Sequence, residues 1–453
     1  MVDEMRWGSW LKQGMILVSI MALVSGCFGP KPVLEELGKD GRGKLKVLYS
    51  NEGDFFREYG NVFTLKFPNI DIEVVETKGL YQQMQIQKDV DYGTLLTKLI
   101  DEQQPDVLTL SAPSYEEYAL DGKLYNLDSI IKQEQFDLEG FMPGLIDMVR
   151  EQGGGALFGL PPFFYTDVLY YNADLFKANS IDLPKGGMTW KDLFDLAARF
   201  EDAGMPGLYA GYENAVGMLK RIADTWGLQE FDAKGEHILL ESESWKQAYQ
   251  MMTDAIRTRA LQVQKSDAMF LPSSNNLFLQ GNAAMTFGSS GFISEFSDPQ
   301  NKKASKMDWG MVPVPIDPSH PNETPSAHAV EYFAINEHSS NKRAAWEFVK
   351  YVNGPEMAKA SSAIYYKLPT RTGFVKSIQG KSTEAFYALQ IKNMKYEWAI
   401  KRVPSDFNIA YSPLREEALQ AIIDKVKTVD EALAELQQKA QAALQKVRQD
   451  KLK

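Results

Sequence analysis

Between residues 45 and 110 the hydrophobic pattern alternates between strand and helix, and that alternation limits the fold more than any other feature of the chain. Leu45-Lys46-Val47-Leu48-Tyr49 reads as a strand, and the polar turn Ser50-Asn51-Glu52-Gly53-Asp54 leads into a short helix. Asn69 to Val75 repeats the period of two. Thr94 to Glu102 carries the helical period instead, with Leu95, Leu96, Leu99 and Ile100 forming one apolar stripe, and Pro105 stops it ahead of the strand Asp106–Leu110. Strands separated by helices give βαβ units and a mostly parallel sheet, so the fold class is α/β. In such sheets ligands bind beyond the carboxyl ends of the strands, which directs attention to the loops Ser50–Asp54 and Ser111–Tyr115.

Helical patterns dominate the remainder, at Trp190–Glu201, Ala215–Thr225, Ser244–Arg257, Lys342–Val352 and Asp430–Val447. Shorter strands separate them at Asp167–Tyr171, Ala284–Phe287 and Val330–Ile335. Thr428 and Glu431 fit a capping box at the start of the last helix. The proline-rich stretch from Val312 to Pro325 reads as a surface loop. A length of 453 residues exceeds one ordinary core and predicts two or three.

The chain has one cysteine, which excludes an intrachain disulfide and a Cys-based zinc site. That residue, Cys27, closes Val24-Ser25-Gly26-Cys27 behind the apolar run Met15–Val24, with Arg6 and Lys12 ahead of it. The run is too short to span a bilayer and has the proportions of a secretory signal. Its end resembles a bacterial lipobox, which implies cleavage before Cys27 and attachment of diacylglycerol and a fatty acyl chain such as palmitate. Residues 1–26 are then a lipoprotein signal peptide, and residues 27–43, broken by Gly, Pro and charge, a flexible tether. The expected location is the bacterial cell membrane, lipid-anchored and facing the exterior. A net charge of -11 argues against nucleic acid as a partner.

From Pro105 onward a series of short stretches is similar, in order, to the family 1 extracellular solute-binding proteins, the group containing maltose-binding protein. Pro105-Asp106-Val107 and Gly122-Lys123-Leu124-Tyr125-Asn126-Leu127-Asp128 come first, then Gly159-Leu160-Pro161 and Leu169-Tyr170-Tyr171-Asn172-Ala173-Asp174-Leu175-Phe176. Thr189-Trp190-Lys191-Asp192-Leu193, Gly281-Asn282-Ala283-Ala284-Met285, Ala345-Trp346-Glu347-Phe348, Leu368-Pro369-Thr370-Arg371 and Thr428-Val429-Asp430-Glu431-Ala432-Leu433 follow. The resemblance implies a two-lobe periplasmic-binding-protein type II fold with a hinge between discontinuous lobes. Residues 44–164 and 332–368 would form the N-terminal lobe, and 168–328 and 371–453 the C-terminal lobe. The chain would cross between them near Phe164–Asp167, Ala329–Tyr332 and Leu368–Thr370. The implied function is non-enzymatic: a monomeric lipoprotein that captures an extracellular oligosaccharide by closure and delivers it to ABC permease subunits, with a separately encoded ATPase and no cofactor.

Sugars offer apolar faces and hydroxyl edges, so their sites combine aromatic rings with carboxylates, amides and guanidinium groups. The binding loops of the family fall here on Asn51, Glu52 and Asp54, on Tyr115, and on Tyr165 and Asp167 at a predicted crossing. Phe292 stands where relatives often carry Trp, Glu331 and Tyr332 mark the second crossing, and Phe407 and Tyr411 lie near a late aromatic of the family. Trp226 fits either the far lobe's wall or its core. Two other classes fit the residues: a membrane-anchored carbohydrate hydrolase, which needs only two placed carboxylates, and a binder of a charged solute such as a polyamine, suited by Glu52, Asp54 and Asp167. His320, His328 and His338 lie near Asp317, Glu323 and Glu331, but no spacing puts two histidines on one helix face, so no metal site is assigned. Neither a Walker A sequence nor a Gly-x-Ser-x-Gly elbow is present. Cys27→Ala is expected to move the protein from the membrane to the soluble fraction; unchanged fractionation would refute the lipid anchor.

Overall fold

A computed structural model describes residues 33–87, 90–264, 275–361, 367–392, 402–404 and 406–451. The expected signal segment and Cys27 lie outside the described residues. Residues 33–43, expected within a flexible tether, dock instead on the body: the Val33 amide donates to Gln133 Oε1 at 2.8 Å, and Leu34 is buried.

Two five-stranded mixed sheets organise the chain. In the first, β1 (Gly43–Tyr49) lies parallel to β2 (Ile70–Glu76) on one edge and to β3 (Val107–Leu110) on the other. β4 (Gly159–Leu160) and the returning β13 (Tyr332–Ile335) complete it in the order β2-β1-β3-β13-β4, with β13 antiparallel to both neighbours. The second contains β6 (Asp167–Asn172), β7 (Leu208–Asn214), β8 (Leu261–Gln264), β9 (Met285–Ser289) and β10 (Trp309–Pro313), in the order β10-β6-β9-β7-β8. Between them in sequence, β5 (Phe163–Tyr165) pairs on one edge with β12 (His328–Ala329) and on the other with β14 (Leu368–Pro369). The short β11 (Glu323–Thr324), just ahead of β12, pairs with Gln390–Ile391.

β10 corrects the surface-loop reading at its first two residues, Val312 and Pro313. Pro313 lacks an N–H, but at the outer end of an edge strand it leaves no ladder bond unmade, and Val312 pairs with Leu169 inside the sheet. The expected helices at Trp190, Ala215, Ser244, Lys342 and Asp430 all form, over Trp190–Ala198, Ala215–Trp226, Glu243–Arg257, Lys342–Val352 and Val429–Lys451. A further helix, Phe407–Ile423, continues through Pro413.

Buried apolar side chains form two clusters, and β6 feeds both. Val168 and Tyr170 point into the cluster shared with the first sheet, whereas Leu169 joins the cluster under the helices of the second. Each successive residue of a strand faces the opposite side, so one six-residue strand ties the two cores together.

The first sheet is also pinned by a polar contact. Asp106, buried at the start of β3, accepts from the Lys46 amide at 2.8 Å, the Ser339 hydroxyl at 2.6 Å and the Asn341 amide group at 3.3 Å. One carboxylate therefore joins β1 and the Ser339–Asn341 turn to the start of β3. Asp106→Ala leaves those donors unsatisfied and is expected to cost roughly 3 kcal/mol in urea unfolding. A loss below about 1 kcal/mol would show that the sheet does not rely on it.

Candidate functional site

The residues singled out from sequence divide sharply. Tyr115 and Tyr332 are fully buried and stacked on each other, with ring centroids 4.6 Å apart. The Tyr115 hydroxyl accepts from the Phe158 amide at 3.2 Å, and the Tyr332 hydroxyl donates to Gln152 at 2.9 Å. Phe407 and Tyr411, one turn apart on the helix Phe407–Ile423, stack at 4.9 Å inside the second core. These four are core residues and present no ring to a ligand; their hydrophobic area is spent on packing. Phe292 is half-buried against Tyr170 and Phe296, and Trp226 packs on the second core.

The remaining candidates lie after β1 and on or beside β5, β6 and β12. Asn51 caps the helix that follows β1, its side chain accepting from the Asp54 amide at 2.9 Å. The amide of exposed Glu52 donates to Glu76 at 2.9 Å, tying the carboxyl ends of β1 and β2. The Asn51 amide and the Arg57 guanidinium hold the Asp54 carboxyl below its usual range. Tyr165 faces His328 across the β5–β12 pair, rings 6.0 Å apart.

Glu331, on the segment between β12 and β13, enters a charged cluster that sequence reading missed. Lys367, one residue ahead of β14, lies 2.6 Å from Glu58 and 3.5 Å from Glu331. Tyr59 donates its hydroxyl to Glu331, and Tyr49 donates to Glu58 at 3.2 Å. Burial pushes the Glu331 carboxyl above its ordinary pKa, opposed by Lys367 and Tyr59. Burial alone would lower the Lys367 ammonium; Glu331 and Glu58 outweigh it and hold it raised.

Across β5, Asp167 opens a second cluster of the same composition. Arg221 reaches Asp167 Oδ2 at 2.7 Å through Nη2 and both oxygens of Glu213 at 2.7–2.8 Å through Nε. Its guanidinium also lies 5.0 Å from the centroid of the Phe287 ring. Local sequence sets this up: Glu213 is the penultimate residue of β7, Asn214 caps the helix Ala215–Trp226, and Arg221 projects from that helix. A cavity of about 280 Å³ adjoins it, walled also by Trp190, Thr324, Ser326 and His328. Two exposed rings were not anticipated: Tyr212 near the end of β7, beside Glu213, and Tyr81 after β2, stacked on Tyr92 at 4.7 Å.

The histidines do not converge. Among the described residues, Asp232, Glu236 and His237 alone place three ligand-type groups close together, and the Asp232 carboxylate there accepts the amides of Glu236 and His237.

Replacing Lys367 by Met removes the cation shared by Glu58 and Glu331, leaving Glu331 to face Glu58, which keeps Arg57 at 3.6 Å. The expected cost is roughly 3 kcal/mol near pH 7.5. Glu331 already has a raised folded-state pKa, so its contribution is fully present below its unfolded pKa and fades as pH rises through the folded one. Without Lys367 that pKa climbs further, and the deficit of the variant should shrink toward pH 5. Urea titrations at both pH values would measure it; a deficit that grows on acidification would contradict the assignment.

A profile described as bacterial extracellular solute-binding protein matches residues 49–359. The sn-glycerol-3-phosphate-binding periplasmic protein UgpB of Shigella dysenteriae is 28% identical over 193 residues, 40% of this chain and 41% of that protein, and the Escherichia coli K12 counterpart matches equally. The matched stretch therefore covers less than half the length of these curated relatives. Among solved structures, a sugar transporter of Rhizobium etli in an open conformation superimposes with a TM-score of 0.62 at 20% identity, over 88% of this chain and 99% of that one. The sugar-binding protein MalE of Xanthomonas citri gives 0.65 at 17% identity, over 89% and 98%.

Proposed function

The chain belongs to the bacterial extracellular solute-binding protein family, and we propose that it captures a neutral carbohydrate outside the cell for an ABC importer. The two sheets act as lobes that close about β5, β12 and β14, around which the polar groups described above are gathered. A site between two lobes buries most of a small ligand, and each lobe adds contacts the other lacks. The lipid anchor at Cys27 would keep the receptor beside its permease.

One observation carries the choice of a neutral solute. Two cations at the junction, Lys367 and Arg221, are each held between two carboxylates. Both are already neutralised by carboxylates, and those carboxylates with Asn51, Ser326 and Tyr165 suit hydroxyl groups. Tyr212 and Tyr81 offer rings at the carboxyl ends of strands, where a pyranose face can stack. The names of the relatives divide between sugars and a phosphate ester, and the paired cations favour the sugar. A second reading has one observation in its favour: each cluster holds one more carboxylate than cation, which suits a cationic solute such as a polyamine. No catalytic residue is assigned.

A thermal-shift screen against oligosaccharides, polyamines and sn-glycerol 3-phosphate tests this, because a ligand of the folded state raises the melting temperature with concentration. Stabilisation by an oligosaccharide that is recovered intact is the expected result. Stabilisation by polyamines alone would change the solute, and glycan cleavage in the same wells would replace the receptor by a hydrolase. For the sugar identified, Tyr165→Ala is expected to weaken binding more than about tenfold, roughly 1.4 kcal/mol, by titration calorimetry. Unchanged affinity in a folded variant would remove Tyr165 from the site.

A further inference from the structure

Arg221 has the reach and position of an anion-binding group, yet its surroundings disable it. Its Nε is shared by both oxygens of Glu213, its Nη2 is taken by Asp167, and Phe287 lies against the guanidinium. Side-chain exposures of 22% for Arg221, 27% for Asp167 and 29% for Glu213 place all three at the wall of the cavity rather than beneath it. Two carboxylates and one guanidinium leave that wall one negative charge in surplus. The other groups in the wall do not reverse the sign: Lys220 is paired with Asp224 at 2.5 Å, and exposed His328 contacts the Ser326 carbonyl at 3.3 Å.

The arrangement is costly for stability alone. A half-buried arginine needs one carboxylate for neutrality, and a second brings its own desolvation and repels the first. Burial would pull the Arg221 guanidinium down, but Asp167 and Glu213 together hold it above its ordinary value, so it remains charged beside both acids. The backbone fixes both acids independently. Asp167 is in register with Ser289 at the start of β6, and Glu213 lies in β7 two residues before the helix that carries Arg221. The clamp is therefore preformed.

We propose that Asp167 and Glu213 are specificity-determining residues that occupy Arg221 and make this wall reject anionic solutes. Neutral polyols still find acceptors there, while a phosphate ester meets a surplus carboxylate and a guanidinium already neutralised by two acids. The same guanidinium, released from its two partners, is a latent phosphate site; a planar fork of N–H donors matches phosphate oxygens two at a time. The inference rests on the solute-binding reading of this junction, but it is read on a different ligand.

The test compares sn-glycerol 3-phosphate and inorganic phosphate with neutral oligosaccharides, using the full chain in detergent and its D167N/E213Q variant at low ionic strength. The wild-type protein should show no saturable phosphate response. The double variant should bind sn-glycerol 3-phosphate at least about tenfold more tightly, with affinity falling as salt is added, and the added change R221Q should abolish the gain. If the double variant does not fold, D167N alone frees Nη2 and should give part of the gain. Wild-type binding of the phosphate ester as tight as that of the variant would overturn the proposal, as would a folded variant that gains nothing. Silence from every sugar would count against the proposed function, and the phosphate comparison would still decide this one.

Discussion

Strand β5 is bonded on both edges, Phe164 facing Ala329 on one side and Leu368 on the other, and that double pairing fixes where everything else can stand. Three segments separated by more than a hundred residues of chain or by tens are brought side by side at one point. Each then leaves in a set direction: β6 starts two residues after β5, β13 three residues after β12, and Arg371 follows β14 almost at once. Side chains adjacent to these strands have little freedom in sequence or space. Tyr165, Asp167, His328, Glu331 and Lys367 are neighbours because of backbone pairing, before any side-chain attraction is considered.

Charge follows from that crowding. A lysine and two glutamates meet on one side of β5, an arginine with an aspartate and a glutamate on the other. In water each ion pair would be worth little, but these are partly withdrawn from solvent, where removing one partner costs more than the pair itself contributes. The geometry differs in a way that suits the two cations. Lys367 is a point charge reaching two acids with one ammonium and lying 5.8 Å from the Phe163 ring. Arg221 divides its fork between two acids, one along Nε and one at Nη2, and could not be replaced by lysine without losing one of them.

Much of this frame is legible in the sequence, because strand and helix periods and the order of short motifs depend on local residues. The segments expected near Phe164–Asp167, Ala329–Tyr332 and Leu368–Thr370 overlap β5, β12 and β14. The proline-containing elements hide instead. Pro313 obscures an edge strand that needs no N–H there, and Pro413 obscures a helix whose remaining residues, from Phe407 to Ile422, bury one face. The ion clusters are hidden for a different reason. Glu58, Lys367, Glu213 and Arg221 carry no pattern among themselves; nothing in the spacing of Lys367 and Glu58 announces that β14 will bring them within 2.6 Å.

The aromatic candidates show the same boundary from the other direction. Tyr115 follows β3 at the end where ligands bind, so its place along the chain fits a site, yet its ring lies flat on Tyr332 and its hydroxyl is satisfied by the Phe158 amide. A tyrosine with both its face and its hydroxyl engaged has nothing left for a sugar. Tyr212, on an exposed strand end with no motif to mark it, keeps 59% of its surface in solvent. Position along a strand tells which end of the sheet a residue occupies; only the facing partner decides whether its ring belongs to the core or to the solute. For the same reason the discriminating feature of this junction is not the number of carboxylates, which composition supplies freely, but which cation each one already holds.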